Sequence, residues 1–333
     1  MTPIQKVIYH KNKNIKPVWL MRQAGRYLPE FRKIRRKNTN FIDLCLNKKQ
    51  VKKITLQPIK RFNLDAAIIF SDILMVPYGL DQDVNFKKNY GPILGELELK
   101  NLYKISHKDF TNKLNPVYES LETIKKDKLL KNRDLIGFVG GPWTVLVYML
   151  NKKSPKKNLN KLIKDKGLTS DLLEIITNFL CVHIKNQVQS GASVIQIFDS
   201  WAGLVKKKDL ERNIYEPTKK IVNFIHSLKT PSICFPRNIE NYKEFTDVTK
   251  PDVISIDYKV DPIKIIKNIK IPVQGGLDPE ILLTNKKNIK LKTQKYLDIF
   301  KNHPYIFNLG HGVLPQTNPD MVEYLINLVK NFK

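Results

Sequence analysis

The chain has 333 residues, 42% of them apolar, and 58 Lys and Arg against 31 Asp and Glu, a formal net charge of +27. Apolar content of that size excludes a disordered chain, and no run approaches the roughly 18 consecutive apolar residues that a membrane helix requires. The charge fits nucleic-acid binding, an acidic small substrate or compositional drift toward Lys, and because the lysines are spread along the whole chain, drift comes first.

Length allows one large or two ordinary domains. The cysteines, Cys45, Cys181 and Cys234, are odd in number and lack motif spacing, which points to a reduced compartment. Residues 1–16 are polar and basic, with no apolar stretch of the kind found in a secretory signal. They read as an irregular arm. The expectation is a soluble, cytoplasmic protein.

Taken in order, an apolar run at 17–21 ends at Arg22. Residues 29–60 carry Ile34, Phe41, Leu44, Cys45, Val51 and Ile54 at helical spacing. A second apolar run, 65–70, ends at Ser71-Asp72, and a loop with Pro77, Gly79, Gly91, Pro92 and Gly95 follows. Helices are predicted over 108–130, 170–190, 211–229 and 319–332, with a Lys/Asn-rich mobile loop over 150–168. Further apolar runs fall at 134–139, 192–198, 232–235, 252–256, 271–274 and 305–309. Eight short apolar runs alternating with helical stretches imply parallel strands covered by helices. Without a Gly-x-Gly-x-x-Gly turn, eight such units favour a closed (β/α)8 barrel of one domain, residues 1–333, over an open doubly wound sheet. Arg22, Asp72, Ser200, Asp257 and His311 each follow a run. In such a barrel those strand ends converge on one mouth, where active sites form.

The arginines single out one stretch. Arg occurs at 22, 26, 32, 35, 36, 61, 133, 212 and 237, and five of these nine fall between 22 and 36. A chain that otherwise uses Lys needs the guanidinium fork where planar, bidentate donation to carboxylate or phosphate matters. A solvated basic helix explains Arg32, Arg35 and Arg36 equally well. Arg22 and Arg26 flank Gly25 directly after a buried-looking run, and a glycine there allows positive φ or close approach to a ligand. Asp72 is either the N-cap of the next helix or an acid projecting into the mouth. Tyr148 on its own reads as core more readily than as ligand. His311, between Gly310 and Gly312 at the last strand end, reads as functional. His10, His107, His183, His226 and His303 read as structural, and Asp199 as an N-cap. Cys181 and His183 diverge on a helix at i, i+2, so no metal site is expected.

The segment Arg22-Gln23-Ala24-Gly25-Arg26-Tyr27-Leu28-Pro29-Glu30-Phe31-Arg32 resembles the N-terminal signature of the uroporphyrinogen decarboxylase family. Phe70-Ser71-Asp72-Ile73-Leu74, the 137–148 segment ending at Tyr148, Ile197-Phe198-Asp199-Ser200-Trp201-Ala202-Gly203 and Asn308-Leu309-Gly310-His311-Gly312 extend the likeness over almost the whole chain. The resemblance implies removal of four acetate carboxyls from uroporphyrinogen, an eight-carboxylate substrate, to give coproporphyrinogen. It implies Asp72, Arg22 and Arg26 as catalytic residues. It implies Arg22, Gln23, Ala24, Gly25, Arg26, Asp72, Tyr148, Ser200 and His311 as substrate-binding, with Asp72 accepting from pyrrole N–H groups. It also implies a homodimer, and no metal, cofactor, nucleic acid or membrane partner. The chain departs from the family in its Lys/Asn-rich segments at 87–90 and 151–158, which carry fewer glycines than usual.

Two other classes compete on residues alone. A corrinoid-linked methyltransferase of similar fold needs a thiolate and histidine zinc site whose spacing is lacking. A basic nucleic-acid binder predicts salt-sensitive affinity without turnover.

Overall fold

The computed structural model of the chain describes residues 1–87, 90–155 and 159–332. Its centre is a curled parallel sheet. The strands are β1 (Ala66–Ile68), β4 (Asp134–Gly140), β5 (Val194–Asp199), β6 (Ser232–Pro236), β7 (Val253–Ile256), β8 (Val273–Gly275) and β9 (Tyr305–Ile306), paired in that order. An antiparallel hairpin, β2 (Val84–Lys87) and β3 (Gly91–Leu94), stands apart.

Seven strands are regular where eight were expected. The 17–21 run forms no regular strand, although it lies between the sheet's two edges. Phe307 N donates to Pro17 O at 2.8 Å, Trp19 N to Phe307 O at 3.3 Å, and Asp65 N to Val18 O at 2.9 Å. Pro17 has no N–H for a ladder, and the Val18 N–H turns to the Asp65 carboxylate at 2.7 Å. One parallel bridge, Val18 with Phe307, remains.

The second correction is at the N-terminus. Residues 1–16 are no irregular arm, because Pro3–His10 is a helix. Thr2 caps it, accepting from Gln5 N at 3.2 Å, while Gln5 Oε1 accepts from Thr2 N at 3.3 Å. Ile4, Val7 and Ile8 share one face of this helix. They are buried with Trp19, Met21, Ala66, Ile68, Ile136, Val194, Ile233, Phe235, Val253 and Ile306. Those strand residues alternate along their strands, so they line the concave side of the sheet and the helix plugs its N-terminal end. A polar layer crosses this interior. Trp19 Nε1 donates to Gln274 Oε1 at 2.9 Å, and Gln274 Nε2 donates to Gln196 Oε1 at 3.0 Å and Ser255 Oγ at 3.1 Å.

The expected 29–60 helix is three helices, Pro29–Lys37, Phe41–Leu46 and Lys48–Arg61. Asn40 and Asn47 break it by capping, with side chains that accept from Ile42 N and Gln50 N. The 108–130 expectation becomes His107–Lys125 with a 3-10 turn at Lys128–Leu130. The 211–229 expectation becomes Glu216–Ser227 after a wider turn. The last helix is Pro319–Lys330.

Helix Lys166–Gln189 starts earlier than expected, at its Asp165 cap, and takes in the end of the predicted 150–168 loop. By length and composition it is long and apolar enough to cross a membrane. It packs against β4 and against helices His107–Lys125 and Glu216–Ser227. Before it, a 3-10 turn spans Lys161–Lys164. Lys152 and Lys153 dock on the hairpin, with Leu94 N donating to Lys152 O at 2.7 Å and Ile93 bridging Lys153. Of the two Lys/Asn-rich segments, 88–89 and 156–158 lie outside the described residues.

Candidate active site

The C-terminal ends of the strands form a mouth, and the Arg22 turn is its most constrained part. Arg22 adopts the left-handed conformation, φ 61°, which is rare for a side chain of this size and typically costs about 1–3 kcal/mol. Positive φ, foreseen at Gly25, thus falls on Arg22. Gly25 is needed for another reason, since a Cβ there sits 2.8 Å from Arg22 O. Gln23 holds the turn. Its Oε1 accepts from Leu20 N at 3.0 Å, its Nε2 donates to Ala66 O at 3.0 Å, and its carbonyl accepts from Tyr27 OH at 2.8 Å. The Gln23 side chain is therefore committed to the backbone, and its own N–H donates to Leu20 O at 2.9 Å. Ala24 packs partly against the core.

Arg22 keeps open surface toward the mouth, yet protein surrounds it on its other sides. Burial pulls its pKa down, opposed by the nearby Asp72 carboxylate and reinforced by Arg26 and Arg237. Its stem crosses Gly312 so closely that a Cβ on that glycine meets Arg22 Cδ at 2.4 Å. Among the described residues, Arg22, Arg26 and Arg237 make no ion pair.

Asp72 follows β1. One oxygen accepts from Leu74 N at 2.9 Å in an Asx turn, but the following helix, Met75–Gly79, has Leu74 at its N-cap and no side-chain cap bond, so Asp72 is not its N-cap. The other oxygen has no hydrogen-bond partner among the described residues. Burial pushes the Asp72 pKa up to about 6, against the Leu74 N–H and Arg22, which both lower it.

Tyr148 lies on helix Pro142–Asn151, its ring edge-on to Trp201 at 6.0 Å. Burial raises its pKa, and both Asp72 and Arg22 act on it electrostatically. Ser200 follows β5, between Asp199 and Trp201. His311 is part-buried, and its Nδ1 accepts from Gly312 N at 2.6 Å. Burial, Arg237 and Arg22 push its pKa down to about 4, so the ring is neutral at pH 7. With Nδ1 accepting, that hydrogen bond assigns the ring proton to Nε2, which is left as a donor.

Asp199 is not an N-cap. It is buried and accepts from Thr144 Oγ1 at 2.5 Å, and Thr144 Oγ1 in turn accepts from Trp201 N at 2.9 Å. Burial raises its pKa to about 6. It ties β5 to helix Pro142–Asn151. Asp257 likewise accepts from Asn238 N, Tyr242 OH and Lys259 N at 2.9–3.0 Å.

Sequence reasoning missed the floor and one wall. Phe138, Phe198 and Phe235 stand edge-on in series, at 5.7 Å and 6.4 Å, above the concave core. Alternation along β4, β5 and β6 was the available signal. Arg237, just past β6, was counted among the nine arginines but not assigned to the mouth. Two surface clefts, one lined by Gln294, Asp298 and Tyr324 and one by His107, Thr111 and Lys185, lie on the outer helices instead. Among the described residues, no group of three or more His, Cys, Asp or Glu side chains is placed to hold a metal ion.

Residues 1–332 match the family described as uroporphyrinogen decarboxylase (URO-D). The chain belongs to the uroporphyrinogen decarboxylase family. It is 43% identical over 328 residues to uroporphyrinogen decarboxylase of Rickettsia bellii, covering 96% of each chain. The protein of the same name from Rickettsia africae is 43% identical over 330 residues, covering 97% of this chain and 95% of the relative. Among solved structures, a methyltransferase from Methanosarcina mazei superposes with a TM-score of 0.78 at 17% identity, covering 98% and 97% of the two chains. A B12-independent methionine synthase from Shewanella sp. W3-18-1 superposes at 0.53 and 11% identity. At such identities these two show the fold alone.

Proposed function

We infer that the chain is a uroporphyrinogen decarboxylase, a carboxy-lyase of porphyrin biosynthesis that converts uroporphyrinogen to coproporphyrinogen and carbon dioxide. The observation that carries the reading is a carboxylate with one oxygen unused, Asp72, beside unpaired guanidinium groups at one strand-end mouth in a chain of this family. The substrate's acidic arms are the partners that Arg22 and Arg26 lack. Asp72 accepts from the pyrrole N–H groups. Protonation of a pyrrole carbon makes the ring cationic. The C–C bond to the acetate carboxyl then breaks, its electron pair moves into the ring, and carbon dioxide leaves. A second proton then adds to the remaining exocyclic methylene to give methyl, and the proton first added to the ring carbon leaves, which restores the neutral pyrrole. Ionised Asp72 faces the cation as it develops, which is where fixed charge lowers a barrier. Neutral His311 donates from Nε2 to a substrate carboxylate, and Tyr148 and Ser200 offer hydroxyls. Ala24 and Gly25 contribute through the main chain, Gln23 by holding the turn that presents them, and the Phe138–Phe198 floor excludes water below the ring.

In this reading the whole chain is one domain whose barrel closes through residues 17–20, and no cofactor enters the chemistry. It acts in the cytoplasm as a homodimer with the two mouths near the interface. A sedimentation mass of 38.8 kDa at micromolar concentration contradicts that assembly. The deciding experiment is anaerobic incubation with uroporphyrinogen under reducing conditions, then oxidation and counting of carboxyls. Four-carboxyl porphyrin is expected, and recovery of only the eight-carboxyl compound overturns the reading.

A further inference from the structure

Arg237 has every mark of a ligand-binding residue except a ligand. It is one of nine arginines in a lysine-rich chain, and it stands directly after β6. Its backbone is clamped from two sides: its N donates to Asp199 O at 3.1 Å, and its O accepts from Gly203 N at 3.0 Å. The clamp is tight, because a Cβ on Gly203 meets Asn238 O at 2.5 Å. The next residue, Asn238, takes the left-handed conformation and donates its N to Asp257 at 2.9 Å. This framework fixes where the side chain starts. Yet the Arg237 Nε is buried without a hydrogen-bond partner among the described residues. Buried donors are rarely left so, and an orphan at a strand-end mouth points to an acceptor that arrives from outside.

The strand order says where that acceptor sits. From the 17–21 segment, β6 is reached after β1, β4 and β5 in one direction and after β9, β8 and β7 in the other. Arg237 therefore faces Arg22 across the mouth, and the two long side chains interact electrostatically. His311 lies within the field of both. The carboxylate on their side, Asp257, is already used by Asn238 N, Tyr242 OH and Lys259 N. We propose that Arg237 is a third carboxylate-binding residue of this mouth, holding one acidic arm of the substrate opposite the arms taken by Arg22 and Arg26. With two opposed anchors, the macrocycle is fixed in rotation, which selects the pyrrole ring presented to Asp72. The proposal rests on the polycarboxylate reading above.

The test compares Arg237→Gln, Arg237→Lys and Lys287→Gln, the last removing one charge from an exposed position on an outer helix. For Arg237→Gln, KM for uroporphyrinogen is expected to rise about tenfold or more, by a larger factor than kcat falls, as one charge-assisted contact is lost. Arg237→Lys is expected to recover part of this, and Lys287→Gln to match wild type, which separates contact from general steering. A second readout is the His311 ring, titrated by NMR. Its charged neighbours are Arg237, Arg22 and Asp257, so losing the Arg237 cation should raise its midpoint. If Arg237→Gln does not fold by circular dichroism, Arg237→Lys carries the test through its own several-fold rise in KM. A KM within twofold of wild type in the folded variants, with an unmoved His311 midpoint, overturns the proposal. A wild-type protein that does not decarboxylate instead overturns the reading beneath it.

Discussion

The two ends of the sheet treat charge in opposite ways. At the N-terminal end, three aspartates sit where strands begin, and each is paired with a neighbouring side chain. Asp65 accepts from Val18 N at 2.7 Å and from Lys330 Nζ at 2.5 Å. Asp134 accepts from Ser193 Oγ at 2.8 Å and from the Thr2 hydroxyl. Asp252 accepts from His226 Nε2 at 2.8 Å, Ser232 N at 2.8 Å and Ser232 Oγ at 3.0 Å. At the C-terminal end, among the described residues, Arg22, Arg26 and Arg237 have no anionic partner, Asp72 has an oxygen to spare, and the Asp199 Oδ2 has no partner. Groups that could stabilise the fold by pairing are left unpaired where a substrate arrives. The Ser232, His226 and Asp252 cluster shows why residue type alone misleads. Its carboxylate bridges the other two rather than orienting the histidine, and it stands at the end of the sheet away from the mouth.

Substitution can break this contrast at either end. The largest effect is expected at Asp72. Asp72→Asn keeps the shape and one acceptor but removes the charge, so single-turnover decarboxylation should fall by roughly two orders of magnitude or more while product still binds. The sign of its titration sharpens the point. Burial holds the Asp72 pKa near 6, above the ordinary carboxylate value of about 4. Between those values the folded chain retains a proton that the unfolded chain releases, so Asp72 takes stability away as pH rises through about 6. Activity has the opposite sign, since ionised Asp72 is the working form and kcat/KM should climb through about pH 6. In Asp72→Asn that inflection should vanish, and melting above pH 7 should be no lower than wild type. Turnover within a few-fold of wild type in a folded Asp72→Asn protein removes the cation-stabilising role.

Gly312→Ala comes next. Its Cβ collides with the Arg22 stem at 2.4 Å, so the guanidinium must move although no charge is lost. Displacement of that size in a positioning group costs about a hundredfold in kcat/KM. Crystals of the variant with Arg22 unmoved and full activity contradict the account. Arg22→Lys and Arg26→Lys keep the charge and lose the fork. Each should cost about 1.5–3 kcal/mol in transition-state binding, read as the ratio of kcat/KM values. Wild-type kinetics in both variants shows that only charge matters there. The smallest effect on activity belongs to the other end. Asp65→Ala strands Lys330 and the Val18 N–H, and should lower unfolding free energy by about 1–3 kcal/mol with kcat/KM unchanged. Urea denaturation and steady-state kinetics measure the two separately, and a catalytic loss without a stability loss reverses the assignment.

What the sequence by itself determined is whatever short spacing encodes. Short continuous apolar runs separated by helical stretches specify a parallel sheet, and polar residues placed just after those runs mark one end of it. The clustered arginines and the contiguous signature from Arg22 to Arg32 point to the family and to one turn of the mouth. The Thr2-Pro3-Ile4-Gln5 capping box was also local, and reading 1–16 as an arm overlooked it. Other features came only from the tertiary structure. Gln23 serves the backbone because Ala66, 43 positions away, lies beside it. The left-handed turn falls on Arg22 because Gly25 yields space to the Arg22 carbonyl. The 17–21 run makes a single bridge because Asp65 takes the Val18 N–H. Arg237 joins Arg22 because β6 lies opposite in the curled sheet. Each of these depends on which distant segment stands alongside, and closing a chain across such separations leaves no periodic trace in local sequence.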